Sequence, residues 1–121
     1  MIATARCRSI ALAVLFLAVA LLACGGSKSK CAATVTFDGK PGQGTGDGAQ
    51  NATESACIDW CVQHDAAVEQ FYQDEVASKS AGRSRFSAIY DEPGGSAVVE
   101  PCKRRCTSLA KPGKELRVNC S

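Results

Sequence analysis

The spacing of the cysteines constrains the fold of this chain more than any other feature of its sequence. Two pairs have the spacing C-x-x-x-C, Cys57 with Cys61 and Cys102 with Cys106. Side chains four residues apart lie on one face of a helix, where they suit two bonds to a facing helix better than one bond to each other. If the two helices are antiparallel, Cys57 pairs with Cys106 and Cys61 pairs with Cys102.

Cys31 and Cys120 remain, and we expect a third disulfide between them to close the two ends of the domain. An even number of cysteines in a small exported domain is typical of a disulfide framework, in which each bond contributes about 2–4 kcal/mol. The twin pairs resemble the C-x₃-C helical hairpins of small intermembrane-space chaperones, and only the hairpin geometry is carried over from them. The alternative is a zinc site of four thiolates.

The sequence pattern of residues 31–121 predicts one α+β domain, in which two disulfide-linked antiparallel helices pack with a small antiparallel sheet. Apolar and polar residues alternate over 32–37 and 115–120, which predicts two strands. Asp38-Gly39 predicts a hairpin turn. The glycine-dense segment 40–48 is either a poor edge strand or a loop, because Pro41 restricts a strand to the edge of a sheet.

The two helices are predicted from capping residues and from the spacing of apolar residues. Asn51 fits the N-cap of a capping box, and a spacing of three to four residues continues to about Ser78. The second helix is expected over 101–110, with Pro101 in its first turn. Residues 83–100 fit either a short helix or a strand, so the sequence leaves their structure open.

Residues 1–23 have the layout of a secretory signal. Two arginines precede an apolar run over residues 10–22, which is too short for a permanent membrane-spanning helix. The run ends in L-L-A-C at Cys24, which resembles the lipobox of bacterial lipoproteins. The resemblance implies that the signal is removed and that Cys24 becomes the acylated N-terminus. The alternative is an ordinary cleaved signal followed by a chance cysteine.

A lipidated Cys24 implies a location in the bacterial cell envelope. Residues 24–30 then form a flexible tether, and the expected partners are the membrane, through the lipid, and another envelope protein. Gly25 stands where an aspartate retains such proteins at the inner membrane, so we expect the outer membrane. Processing removes two of the 14 basic residues and none of the 12 acidic ones. The mature chain is therefore neutral, which does not favour nucleic-acid binding.

His64 is the only histidine and hence the only ordinary candidate for a general base. Cys61, His64 and Asp65 form a C-x-x-H-D string that resembles the core of secreted phospholipases A2. The resemblance implies that His64 activates a water and that Asp65 binds Ca²⁺ together with a glycine loop, here Gly46-x-Gly48.

The resemblance is incomplete, because residues 101–110 contain no acid to orient His64 and only Glu100 is near. The simpler hypothesis places His64 on a helix face, near the seam between the two helices, beside a solvated Asp65. The basic run 103–105 likewise has two interpretations: it binds phosphates or lipopolysaccharide, or it is a solvated helix face.

These observations predict a lipid-anchored structural or binding lipoprotein of the cell envelope, with no catalysis and no cofactor. The alternative is a calcium-dependent, phospholipase A2-like esterase that uses His64 and Asp65.

Overall fold

A computed structural model of the protein describes residues 29–121. These residues form a three-stranded sheet, four α-helices and one irregular helical segment. The elements are β1 (Lys30–Phe37), β2 (Lys40–Asp47), α1 (Ala49–His64), α2 (Ala66–Phe71), a π-helical turn (Tyr72–Val76), a 3₁₀ turn (Ala77–Lys79), α3 (Arg85–Asp91), α4 (Gly95–Leu109) and β3 (Leu116–Cys120). This arrangement confirms the predicted α+β class.

The sheet is antiparallel in the order β2-β1-β3, so the first strand lies in the centre. Asp38 and Gly39 both have positive φ angles, 51° and 74°, which is the conformation of a two-residue hairpin turn. The predicted pairing of the first and last segments is confirmed, since Cys31 lies opposite Cys120 and Val35 opposite Leu116. The glycine-dense segment, which the sequence left open, is the edge strand β2.

Alternate glycines explain how β2 stays in the sheet although its residues have a low preference for strands. Gly42, Gly44 and Gly46 all face α1, and a Cβ atom added at any of them would lie 2.3 to 2.8 Å from atoms of that helix. Contact this close is possible only without side chains. The fully buried Ala52 and Ala56 of α1 supply the matching small surface, so the helix lies directly on the backbone of β2.

The first helix differs from its predicted bounds at both ends. It begins at Ala49 after Gly48, and no side chain caps it. Asn51 is not the N-cap, because its amide instead donates to the carbonyl of Asp47 at 2.8 Å. The helix ends at His64, well before Ser78, because Asp65 is extended. The Asp65 carboxylate accepts from the N–H of Val68 and so begins α2, which is a stronger local signal than apolar spacing.

The last helix begins earlier than predicted. Residues 85–91 form α3, with Ser84 as its N-cap, and α4 starts at Gly95. Pro101 is therefore inside α4 and not in its first turn. Proline removes a hydrogen bond to the carbonyl four residues earlier. Here that residue is Ala97, and both residues are exposed, so water can satisfy the free carbonyl.

Three disulfides connect these elements with the pairing that the sequence predicts. Cys57 bonds to Cys106 and Cys61 bonds to Cys102, with Cα–Cα distances of 5.6 and 5.9 Å. The helix-to-helix register is therefore confirmed. The third disulfide joins Cys31 to Cys120 across neighbouring strands, with Cα atoms 4.0 Å apart. The core between the sheet and the helices is built mainly from small aliphatic residues and these cysteines.

Candidate functional site

A small apolar cleft lies between the end of β1, helix α1 and helix α4. Its volume is about 240 Å³. It is lined by Phe37, Trp60, Asp65, Cys102, Arg105, Cys106 and Leu109. The two cysteines belong to the disulfides that connect α1 to α4, so one wall of the cleft is covalently fixed to the other.

Two aromatic rings form the apolar part of the cleft. The rings of Phe37 and Trp60 pack edge to face, with centroids 5.4 Å apart. The Trp60 indole N–H donates to the carbonyl of Lys40 at 2.9 Å, which fixes the ring against the hairpin. On the opposite wall, the side chain of Leu109 is 59% exposed.

A charged pair lies beside these apolar groups. Arg105 donates to the Asp65 carboxylate at 3.1 Å. The Asp65 side chain is only 12% exposed, whereas that of Arg105 is 63% exposed. The second Asp65 oxygen accepts from the N–H of Val68. The sequence predicted a solvated aspartate at this position, and that prediction is wrong, because the Asp65 side chain is mostly buried. It holds the guanidinium of Arg105 at the cleft, with further N–H groups of that guanidinium open to solvent.

His64 faces the edge of the sheet and not the seam between α1 and α4. Its Nε2 lies 3.1 Å from the carbonyl of Pro41, and its ring packs against Trp60 at 5.5 Å between centroids. Asp59 of the same helix accepts from the backbone N–H of Gln43 at 2.8 Å. Side chains of α1 thus satisfy backbone groups along the free edge of β2, which protects that edge from pairing with another strand.

The arrangement that the phospholipase resemblance implies is not formed by these residues. The proposed glycine loop is strand β2 together with the turn that follows it, and both Asp65 oxygens have protein partners. Within residues 29–121 no carboxylate forms a hydrogen bond or an ion pair with His64. Glu100, the acid that the sequence places nearest to this helix, pairs instead with Lys103 and Arg104. Two further acids that precede it, Asp91 and Glu92, pair with Arg83 and Lys79.

The four-thiolate zinc alternative is wrong, because each of the four cysteines is part of a disulfide. Among residues 29–121 there is also no other group of three or more histidine, cysteine, aspartate or glutamate side chains placed to hold a metal ion. The basic run of α4 is divided between two acids: Lys103 and Arg104 pair with Glu100, and Arg105 pairs with Asp65.

A second polar cluster joins α3 to the end of α1 and to α2. Arg85 lies over the ring of Tyr72 at 4.1 Å, donates to the carbonyl of Val62 at 2.8 Å and pairs with Glu69. Burial lowers the pKa of the Arg85 guanidinium from its ordinary value, although arginine remains charged at neutral pH. Every polar contact of this cluster is internal, so its role is to connect helices.

Phe37, Trp60, Arg105 and Leu109 were not predicted as a site. The sequence analysis gives Arg105 only as part of the basic run 103–105. One sequence signal was available, since Cys102, Arg105, Cys106 and Leu109 have the spacing of a single helix face. That face carries a cation and an exposed leucine beside two cysteines already expected to face another helix.

No family model, curated protein or solved structure matches this chain. Within the part of the chain that the structure describes, no helix is long and apolar enough to cross a membrane. Cys24, the predicted site of lipid attachment, lies outside the described residues.

Proposed function

We propose that the protein is a lipoprotein of the bacterial cell envelope that binds a partner and carries out no catalysis. The observation that carries the binding role is the contrast between two sets of residues. His64 and Asp65, the candidate catalytic pair, are engaged in bonds within the domain. The cleft between Trp60 and Leu109 is open, apolar and flanked by a positioned cation.

The anchor in this proposal is Cys24, which follows the apolar run of a signal sequence. Acylation of the mature N-terminus with two or more chains would give stable attachment, because one chain alone binds a membrane only weakly. The domain begins at β1, six residues after Cys24. The outer membrane is the proposed location, because residue 25 is glycine.

Metabolic labelling with a radioactive fatty acid tests the anchor. We expect the wild-type protein to incorporate label and the Cys24→Ser variant to incorporate none. Cys7→Ser is a matched control, because Cys7 lies in the same leader but outside the lipobox, and it should leave labelling unchanged. Full labelling of Cys24→Ser would contradict the proposal.

The absence of catalysis is tested separately. Purified protein should not release fatty acid from phospholipid vesicles in the presence of Ca²⁺ above the rate seen with His64→Gln. Hydrolysis that is lost in His64→Gln, while that variant keeps its circular dichroism spectrum, would establish the esterase instead.

A further inference from the structure

We infer that the Cys31–Cys120 disulfide is a site of thiol–disulfide exchange. A dithiol reductant reduces it in the folded protein by attack at Cys120, while the two disulfides that connect α1 to α4 remain intact. The inference goes beyond the proposed binding role and does not depend on it, because it rests on the exposure of the three disulfides and on the topology of the sheet.

The three disulfides differ in their access to solvent. Cys57 and Cys61 of α1 are 0% exposed, and their partners on α4 are 3% and 4% exposed. A dissolved thiol can therefore reach these two bonds only when the helices separate. In the third disulfide, Cys31 is 3% exposed, whereas Cys120 is exposed. The rate of exchange depends on access to the sulfur that is attacked, so a reductant reacts at Cys120.

The order of the strands directs the attack to the same sulfur. A thiolate approaches a disulfide along the S–S bond, from the side opposite the sulfur that leaves. Because β3 is an edge strand and β1 is central, the side of Cys120 away from Cys31 faces the open edge of the sheet. The side of Cys31 away from Cys120 faces β2, where Gly46 is its pairing partner and α1 lies directly on that glycine. Approach to Cys31 is therefore blocked, and approach to Cys120 is open.

An open hollow at this end of the sheet gives a reductant room beside the bond. Its volume is about 520 Å³, and both cysteines contribute to its lining. Lys30 and Asp47, which also line it, form an ion pair whose side chains are well exposed. A reductant therefore reaches the bond without the displacement of a helix.

The exchange takes place in two steps and leaves two thiols. A thiolate of the reductant attacks Cys120 Sγ, which breaks the bond to Cys31 and forms a mixed disulfide. The Cys31 thiolate takes a proton from water. The second thiol of the reductant, once deprotonated, attacks the reductant's own sulfur in the mixed disulfide and releases the Cys120 thiolate, which is protonated in turn. The dithiol is oxidised to a disulfide, and the domain gains two electrons and two protons.

The fold does not depend on this bond alone. β1 and β3 pair over five positions, and only the first of them carries the disulfide. The helix disulfides do not involve this pairing. The bond closes the end of β1 from which the chain leaves toward Cys24, where the Ser121 N–H donates to the carbonyl of Lys30 at 2.9 Å. Reduction therefore loosens this end of the sheet and leaves the rest of the domain folded.

The test uses the chain from residue 24 onward with Cys24→Ser, so that every remaining cysteine belongs to a disulfide. Dithiothreitol is the probe, at mildly alkaline pH and without denaturant. Samples are alkylated at intervals, and peptide mapping by mass spectrometry identifies which pair has been reduced. The same chain in urea is the control, because all three disulfides are accessible once it is unfolded.

We expect a species to accumulate in which Cys31 and Cys120 are alkylated and both helix disulfides are intact. This bond should react at least about tenfold faster than the other two in the folded chain, because buried bonds react only in the fraction of molecules that have opened. In urea the three bonds should react at rates within about threefold of one another, since access no longer separates them.

Hydrogen exchange measures the loosening of the sheet. In the reduced species the Ser121 N–H should exchange with solvent at least about tenfold faster than in the oxidised protein, because its strand end is no longer held. The Thr36 N–H is the matched control, because it donates to Glu115 at the other end of the same strand pair. Its rate should not change, and the far-ultraviolet circular dichroism spectrum should be retained.

Two variants identify the sulfur that is attacked. Cys31→Ser leaves Cys120 as a free thiol, and Cys120→Ser leaves Cys31. With both variants folded by circular dichroism, N-ethylmaleimide should label the first at least about tenfold faster than the second, because only Cys120 is accessible. The reduction of the chain with all six cysteines does not require that either variant folds.

Several results would overturn the inference. One is the simultaneous reduction of all three disulfides in the folded chain, or reduction of a helix disulfide first. Another is loss of the circular dichroism spectrum as soon as Cys31 and Cys120 are reduced. Equal labelling of the two folded variants would show that attack is not directed to Cys120. None of these outcomes changes the labelling result for Cys24, so this inference and the proposed anchor are tested independently.

Discussion

Substituting alanine for Gly44 is the most direct test of how β2 is held in the sheet. A Cβ atom at this position would lie 2.3 Å from the backbone nitrogen of Ala56, and ordinary contact begins at 3.4 Å. Helix α1 must therefore move away from β2 by about 1.1 Å. The obstacle is helix backbone, which no side-chain rotation can clear. Such a shift also opens the contacts that the helix makes with Gly42 and Gly46.

The expected loss of stability follows from two opposing effects. Overpacking of a close contact costs about 1–3 kcal/mol, and the upper half of this range applies because the helix must move as a unit. Alanine restricts the unfolded chain more than glycine does, which returns about 0.4–1 kcal/mol. We expect a net decrease of about 2 kcal/mol in the free energy of unfolding, or a fall in Tm of roughly 8–16 °C for a domain of this size.

Thermal and denaturant unfolding, followed by circular dichroism and by the fluorescence of Trp60, measure this decrease. Thr45→Ala is the matched control, because Thr45 is the next residue of the same strand and is exposed on the opposite face of the sheet. It should change the free energy of unfolding by no more than about 0.5 kcal/mol. If Gly44→Ala is as stable as Thr45→Ala, the close helix-to-strand contact does not determine the stability of this edge.

Two further predictions concern His64 and Tyr90. His64→Ala should lower the free energy of unfolding by about 1 kcal/mol, because it removes the hydrogen bond to Pro41. His64→Gln should lower it less, since an amide can still donate, and equal losses in the two variants would contradict a hydrogen-bonding role. Burial raises the pKa of the Tyr90 phenol above its ordinary value of 10.0. The contribution of this phenol to the free energy of unfolding is therefore fully present below pH 10, and it is lost as the pH rises through the raised pKa of the folded state. In Tyr72→Phe, where Tyr90 is the only phenol, tyrosinate absorbance should appear above the pH at which it appears in urea-unfolded chain.

The sequence predicted only part of the candidate site. Its cysteines were predicted to face another helix, and the structure confirms that they do. The aromatic wall was not predicted, because Phe37 reaches Trp60 only through the packing of α1 on the hairpin. The pairing of Asp65 with Arg105 joins residues 40 positions apart, and no local pattern connects them.

Local periodicity determined much of the fold. Two cysteines four residues apart on a helix point in one direction, so two such pairs and an antiparallel arrangement leave a single helix-to-helix register. Alternation likewise defines the faces of β1 and β3, and the Asp38-Gly39 turn defines the hairpin, because these preferences depend only on neighbouring residues.

Tertiary packing decided what the sequence left open. Glycine has little preference for a strand on its own, so Gly42, Gly44 and Gly46 form β2 only because Ala52 and Ala56 lie against them. The break of α1 at Asp65 is set by a cap and an ion pair to α4, which outweigh the apolar spacing that continues beyond it. These contacts join residues far apart in the chain, and they exist only once the helices and the sheet have come together.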